Sequence, residues 1–97
     1  MEIVICKLIT GEFIVGKLKE THISDCFAII MLQDPSHQNQ YRSVIVPLMA
    51  PFDDKPIKQI NLNNVLSTIP AHEDIQRAYV KLTSGIDIIS SGSKIIQ

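Results

Sequence analysis

The chain has 97 residues, of which 45% are hydrophobic and 20% charged, a composition typical of one globular domain that excludes a disordered or collagen-like chain. Its formal net charge of −1 excludes a broad cationic surface of the kind that coats a nucleic-acid duplex. The longest uncharged apolar run, residues 26–32, is too short to span a bilayer, and the first residues lack the basic region and cleavage site of a signal peptide. We therefore expect a cytoplasmic protein with no membrane partner.

The first part of the chain is predicted to form strands, because the sequence has 17 Ile and six Val and β-branched side chains fit a pleated sheet. Residues 2–9 and 12–20 are predicted to form two strands, and Thr10-Gly11 between them supplies a tight turn, so this region predicts a hairpin. Residues 26–33 predict a third strand, which Asp34-Pro35 ends as a turn initiator.

A fourth strand is predicted over residues 41–49. It carries Pro47, which cannot donate to a ladder, so we expect this strand to lie at an edge or to be bulged. The last β segments fall within residues 57–69, where turn-prone asparagines interrupt them. Three polar segments connect these strands: residues 21–25, which carry His22 and Ser24, residues 36–40, and the exposed residues 51–56.

One amphipathic helix is predicted over residues 71–84. Its apolar residues recur at the i, i+3, i+4 and i+7 spacing of one helix face, and Gly85 is placed to end it. We expect the tail, residues 85–97, to dock as a short strand or to fray. The apolar stripe consists of Ile75, Ala78, Tyr79 and Leu82.

The first and third strands are apolar on both faces, whereas a half-buried antiparallel sheet is polar on one face. The interior of a small barrel covers one face, and the helix covers only part of the other. The surplus apolar surface therefore predicts a partner subunit, and we expect a homo-oligomer. Cys6 and Cys26 are predicted to be buried free thiols, since the chain has no secretory signal.

Residues for catalysis or metal binding are sparse. His22, His37 and His72 are scattered and lack the spacing of metal ligands, so no metal site, cofactor or enzymatic activity is predicted. Cys26 stands near His22 and Asp25, but a small residue at the start of a strand is the favoured interpretation over a Cys/His catalytic pair.

Two sequence motifs carry a family resemblance. Residues 8–18, LITGEFIVGKL, resemble the first motif of the Sm and LSm proteins, which include the bacterial Hfq proteins: Leu, two residues, Gly, two residues, an aliphatic residue, one residue, Gly, one residue, Leu. Residues 60–69, INLNNVLSTI, are similar to the second motif of that family. Gly11 suits the hairpin turn, and Gly16 allows a strongly bent second strand to curl without a clashing side chain.

The resemblance implies a small five-stranded, strongly bent antiparallel barrel at about residues 2–70. Together with the helix predicted from its periodicity and the tail, it makes one domain over residues 1–97. A more general SH3-like barrel also fits the two glycines. In the family, edge strands pair between subunits to close a ring, which implies a homo-oligomer of five to seven subunits.

The resemblance also implies a binding site for single-stranded RNA or DNA, with no catalysis. The aspartate, aromatic and asparagine positions of the family's first loop fall on His22, Ser24 and Cys26, and the arginine–glycine pair falls on Asn61 and Leu62. We expect His22 to stack on a base and the amides of the second motif to read base edges. The amides are those of Asn61, Asn63 and Asn64.

Turn formation is the simpler role for these asparagines, and a solvated loop residue is the simpler role for His22. The negative net charge and the missing arginine favour a rival function, a structural homo-oligomeric assembly module that binds no nucleic acid.

Overall fold

The computed structural model describes residues 2–33, 35–36 and 41–92, with helix side chains described through residue 84. It is mainly β, with one antiparallel sheet and one C-terminal helix, which confirms the predicted class. Some predictions fall on residues outside this description. These are Asp34 of the predicted turn, residues 37–40 of the predicted polar loop with His37, and residues 93–97 of the predicted tail. The elements are β1 (Glu2–Leu8), β2 (Phe13–Leu18), β3 (His22–Gln33), β4 (Tyr41–Pro47), β5 (Ile57–Asn61), the 3-10 helix η1 (Leu62–Asn64), β6 (Val65–Pro70) and α1 (Glu73–Gly92).

The sheet has six strands rather than the predicted five, because η1 divides the last β segment into β5 and β6. Its order is β4-β3-β2-β1-β6, and β5 also pairs with β3. The described strands do not close into a hydrogen-bonded barrel: β6 pairs only with β1, and both β4 and β5 pair only with β3. The sheet therefore has open edges on both sides.

The predicted first hairpin is confirmed, with β1 and β2 paired from Glu2 opposite Leu18 to Lys7 opposite Phe13. Gly11 has a φ of 104° in the connecting turn, and its N–H donates to the carbonyl of Leu8 at 2.9 Å. A side chain at this backbone conformation is strained, so glycine favours the turn.

Strand β3 bends sharply at Asp25, which has a φ of 52° and forms a bulge opposite β2. The backbones of β2 and β3 approach closely at Gly16, where an added Cβ would lie 2.6 Å from Cγ2 of Ile23 and 2.8 Å from the carbonyl oxygen of Ser24. The prediction that glycine at position 16 avoids a clashing side chain is therefore confirmed.

The bend divides β3 into two arms with different partners. The first arm runs from His22 to Cys26 and pairs with β5, whereas the second arm runs from Phe27 to Gln33 and pairs with β4. The prediction of residues 21–25 as a polar connection is wrong for His22–Asp25. Polar side chains are tolerated in this arm because several of its residues are only partly buried.

Strand β4 is an edge strand, as its proline predicts, and it ends at Pro47 rather than at residue 49. A turn follows directly, with the N–H of Ala50 donating to the carbonyl of Pro47 at 3.1 Å. The predicted linker, residues 51–56, is exposed except for the half-buried Pro56.

Both faces of the sheet carry an apolar core, as predicted from the two-sided strands. The inner core lies within the curved sheet and consists of Val4, Cys6, Leu8, Ile14, Ile23 and Cys26. The outer core lies between the sheet and α1 and is centred on Val15, Phe27 and Tyr79, with Ile3, Ile29, Ile45, Ile75 and Leu82 packed around them. Cys6 and Cys26 are both free and buried.

Helix α1 packs on the sheet through Ile75, Tyr79 and Leu82, which confirms three of the four predicted stripe residues. Ala78 is exposed. The contact is centred on the fully buried Tyr79, and adjacent residues on a helix point about 100° apart, so Ala78 is turned away from the sheet.

The helix does not end at Gly85 but continues to Gly92, so the predicted short strand or frayed tail is wrong for residues 85–92. A glycine inside a helix costs only about 1 kcal/mol relative to alanine, and no proline follows to stop the helix. One glycine is therefore a weak stop signal.

Candidate functional site

The register of β3 and β5 brings the two motif regions together. His22, the first residue of β3, lies directly opposite Asn61, the last residue of β5. The chain on either side is tied to this pair: the N–H of Leu62 donates to the carbonyl of Thr21 at 3.1 Å, and the N–H of Lys19 donates to the carbonyl of His22 at 2.9 Å. His22 and Asn61, 39 positions apart in sequence, therefore share one end of the sheet.

Asn61 has a structural role at this position. Its side-chain oxygen accepts a hydrogen bond from the backbone N–H of Asn63 at 2.8 Å and so caps η1. The cap uses one of the two acceptor sites of this oxygen, and the amide nitrogen of Asn61 can donate to an external group. The turn-forming role expected for such asparagines is therefore observed here.

We use the term polar rim for Thr21, His22, Asn61 and Asn63. The hydroxyl of Thr21 lies 3.2 Å from Nδ1 of His22, and the imidazole is half-buried while the other three residues are exposed. The rim offers hydroxyl, imidazole and amide groups, which can donate to and accept from the edges of a base. An imidazole ring also provides a flat face on which a base can stack.

Asn64 is exposed beside the rim, and its carbonyl accepts a hydrogen bond from the N–H of Ile9 at 2.9 Å. This bond joins η1 to the β1–β2 hairpin. The first and second motifs are thus in direct contact at the end of η1, whereas its start contacts Thr21, which follows the first motif.

Cys26 lies away from the rim, in the inner core, with no exposed surface. Its thiol donates to the carbonyl of Ile23 at 3.2 Å, and burial raises its pKa to about 12. The thiol is therefore neutral and out of reach of a ligand at the surface.

Ser24 also lies apart from the rim, at the bend of β3. It is half-buried, its carbonyl is 3.5 Å from the hydroxyl of Tyr79, and it pairs with Lys17 and Gln59 in the sheet. Of the six predicted site residues, the structure gathers His22, Asn61, Asn63 and Asn64, and it separates Ser24 and Cys26 from them.

Thr21 and Lys19 were not singled out from the sequence, although both flank His22. Only the register reveals that Thr21 contacts the start of η1. Among the described residues, no group of three or more His, Cys, Asp and Glu side chains is arranged to hold a metal ion. Within the same part of the chain, no helix has the length and hydropathy needed to cross a membrane.

The chain was compared with known proteins. No protein-family model matches it, and no curated protein matches it.

Proposed function

We propose that this chain is a subunit of a non-catalytic Sm-like ring that binds single-stranded nucleic acid, with RNA as the preferred ligand. The observation that carries the proposal is the pairing of His22 with Asn61, which joins the two motif regions in one polar rim. Two loops that meet at one end of a curved sheet are a suitable place to hold an unstacked base.

The open edges of the sheet support the ring. Strands β4 and β6 lie at opposite edges, and both present large exposed apolar side chains, with Tyr41 61% exposed and Leu66 65% exposed. Pairing of β4 with β6 of the next copy would satisfy the free backbone groups of both edges and cover these side chains. Repetition of that contact closes a ring of five to seven subunits.

This oligomer has a direct test. Light scattering of the purified protein is expected to give the mass of one ring of five to seven subunits, each of 10.8 kDa, or twice that mass where two rings associate. A particle of one subunit mass at micromolar concentration would refute the ring.

Recognition in this proposal depends on stacking and hydrogen bonds more than on phosphate neutralisation. The chain has nine Lys and Arg against ten Asp and Glu, so few cations are available to release counterions. We expect the affinity for a short uridine- or adenine-rich RNA to fall gently with salt, with a log–log slope of about two to three rather than six to ten.

The binding experiment uses labelled RNA at two salt concentrations. His22→Ala is expected to remove about 1 to 3 kcal/mol per stacked base. Asn61→Asp is the sharper variant, because the aspartate keeps an oxygen for the cap on η1 while it loses the amide donor. We expect it to weaken RNA binding and to leave the melting temperature close to that of the wild type.

Lys55→Ala is the control, since Lys55 lies in the exposed connection outside the rim. Unchanged affinity in both His22→Ala and Asn61→Asp would contradict the rim as the binding site.

A structural assembly module without nucleic-acid binding is the second candidate. The engagement of the Asn61 oxygen in the cap of η1 favours it, as does the net charge of −1. Failure of the wild-type protein to bind any single-stranded RNA or DNA at low salt, together with an oligomeric mass, would favour this function over the first.

A further inference from the structure

The connection between β4 and β5 presents an aromatic side chain to solvent. Phe52 is 89% exposed, and Met49 on the same connection is 49% exposed. We call residues 48–56 the Phe52 loop. A phenylalanine at this exposure forgoes the stabilisation of burial, which is about 1.5 to 3 kcal/mol for a fully buried side chain.

The Phe52 loop is held by its own hydrogen bonds. The carbonyl of Met49 accepts from the N–H of Phe52 at 2.8 Å and from the N–H of Asp53 at 3.2 Å, and the carboxylate of Asp53 accepts from the N–H of Lys55 at 3.0 Å. These turns fix the backbone on both sides of the aromatic ring. Phe52 is therefore preorganised in an exposed position, which lowers the entropy cost of inserting it into a partner.

A groove of about 510 Å³ lies beside this loop, and we call it the edge groove. Its walls come from the β1–β2 turn, from the second arm of β3, and from the end of β4 with the start of the Phe52 loop. The lining is mostly apolar and includes Phe13, Ile30 and Met31, which are 43%, 43% and 57% exposed. The remaining lining residues are Gly11, Glu12, Ala28, Ile29, Val46, Pro47, Leu48 and Ala50.

We infer that Phe52 of one copy inserts into the edge groove of a second copy, and that the second copy returns the same contact across a two-fold axis. Leu48 and Ala50 belong to both features, so the aromatic ring and the groove occupy one continuous surface of the subunit. A protruding group adjacent to its own receptor makes that surface self-complementary, which is the requirement for a two-fold interface.

Insertion of Phe52 into the groove of its own subunit does not occur, because the turns at Met49 direct it into solvent. The two-fold contact buries two phenylalanines, each with about 150 to 250 Å² of surface. Met49, Ile30 and Met31 are 49%, 43% and 57% exposed, so each copy also has further apolar surface that this contact can cover. Aromatic residues in such central pockets carry most of the binding energy.

This contact is separate from the edge pairing of β4 and β6 in the proposed ring. It joins two subunits if the chain is otherwise monomeric, and it joins two rings face to face if the ring forms. In both cases the wild-type mass is an even multiple of the 10.8 kDa subunit.

The experiment measures mass by light scattering for the wild type and for Phe52→Ser at the same protein concentration. Phe52→Ser is expected to halve the mass, with a dissociation constant at least about 30-fold weaker at the two-fold contact. Val80→Ser is the matched control, because Val80 is 47% exposed on α1 and does not line the edge groove. It is expected to leave the mass unchanged.

The groove is tested by Met31→Lys, which places a charge in the wall opposite the entering ring and is also expected to halve the mass. The Met31→Lys protein keeps Phe52, and the Phe52→Ser protein keeps an intact groove. A mixture of the two variants therefore restores one of the two contacts in each mixed pair. We expect the mixture to regain part of the lost association.

An unchanged mass in Phe52→Ser overturns the inference. The same result is expected if a different protein, rather than a second copy, occupies the edge groove. An odd number of subunits in the wild type overturns it as well. If the two-fold contact forms but the ring does not, the wild type is a dimer and Phe52→Ser is a monomer.

Discussion

Tyr79 joins the helix to the bend of β3, and its substitution tests this connection directly. The side chain has no exposed surface and meets Phe27 edge to face, with ring centroids 6.0 Å apart and an interplanar angle of 82°. Its hydroxyl donates to the carbonyl of Asp25 at 2.7 Å, the residue at which β3 bends. Tyr79 therefore contributes both apolar burial and a long-range hydrogen bond.

Two substitutions separate these contributions. Tyr79→Phe removes only the hydroxyl and leaves the carbonyl of Asp25 without this donor, so we expect a loss of about 1 kcal/mol in the free energy of unfolding. For a domain of this size that corresponds to a fall in Tm of about 4 to 8 °C. Tyr79→Ala also removes the ring from the outer core and is expected to cost about 3 to 5 kcal/mol, a large share of the total stability.

Urea denaturation followed by circular dichroism measures both losses, with Tyr41→Phe as the control because Tyr41 is 61% exposed. The control is expected to match the wild type. A Tyr79→Phe protein as stable as the wild type would refute the hydrogen bond, and a Tyr79→Ala protein as stable as Tyr79→Phe would refute the packing of α1 on the sheet.

Three further predictions concern stability. Gly16→Ala is expected to lower the free energy of unfolding, measured by urea denaturation, by about 1 to 3 kcal/mol, because the added Cβ would press on the backbone oxygen of Ser24. A variant as stable as the wild type would contradict the close approach of β2 and β3. Leu82→Ala is expected to lower the urea midpoint clearly, and Val80→Ala is expected to leave it unchanged; equal midpoints would refute the packing face of the helix. Burial raises the pKa of Cys26 to about 12, so the unfolded chain loses the thiol proton at lower pH than the folded chain does. Stability is then expected to be intact below about pH 8.5 and to fall as the pH rises toward 12, with a shallower fall in Cys26→Ala; equal slopes would contradict this.

The strands of this chain could be predicted largely from local sequence. The first hairpin follows from the β-branched and apolar residues on either side of Thr10-Gly11, and the edge position of β4 follows from Pro47, since both signals act within a few residues. The first arm of β3 escaped prediction because its partner, β5, lies more than 30 residues away. Polar residues such as His22 and Ser24 indicate a loop until that pairing is known.

The candidate site shows the same limit. The motif spacing identified His22 and Asn61 separately, but their pairing is a property of the sheet register. Cys26 is predicted as a binding residue because motif spacing assumes a regular strand, and the sequence does not show the bulge at Asp25. A bulge adds one residue to one strand and reverses the face on which the following side chains lie, so residues beyond it lose the alternation assumed from the sequence.

The bend at Asp25 connects the two surfaces for which functions are proposed. The first arm of β3 carries His22 of the polar rim, and the second arm carries Ile30 and Met31 of the edge groove. Between these surfaces, the carbonyl of Asp25 accepts a hydrogen bond from the hydroxyl of Tyr79. The two arms on either side of Asp25 pair with different strands, β5 and β4. Helix α1 is therefore tied by Tyr79 to the point of β3 that lies between the two surfaces, and it also packs against the outer core.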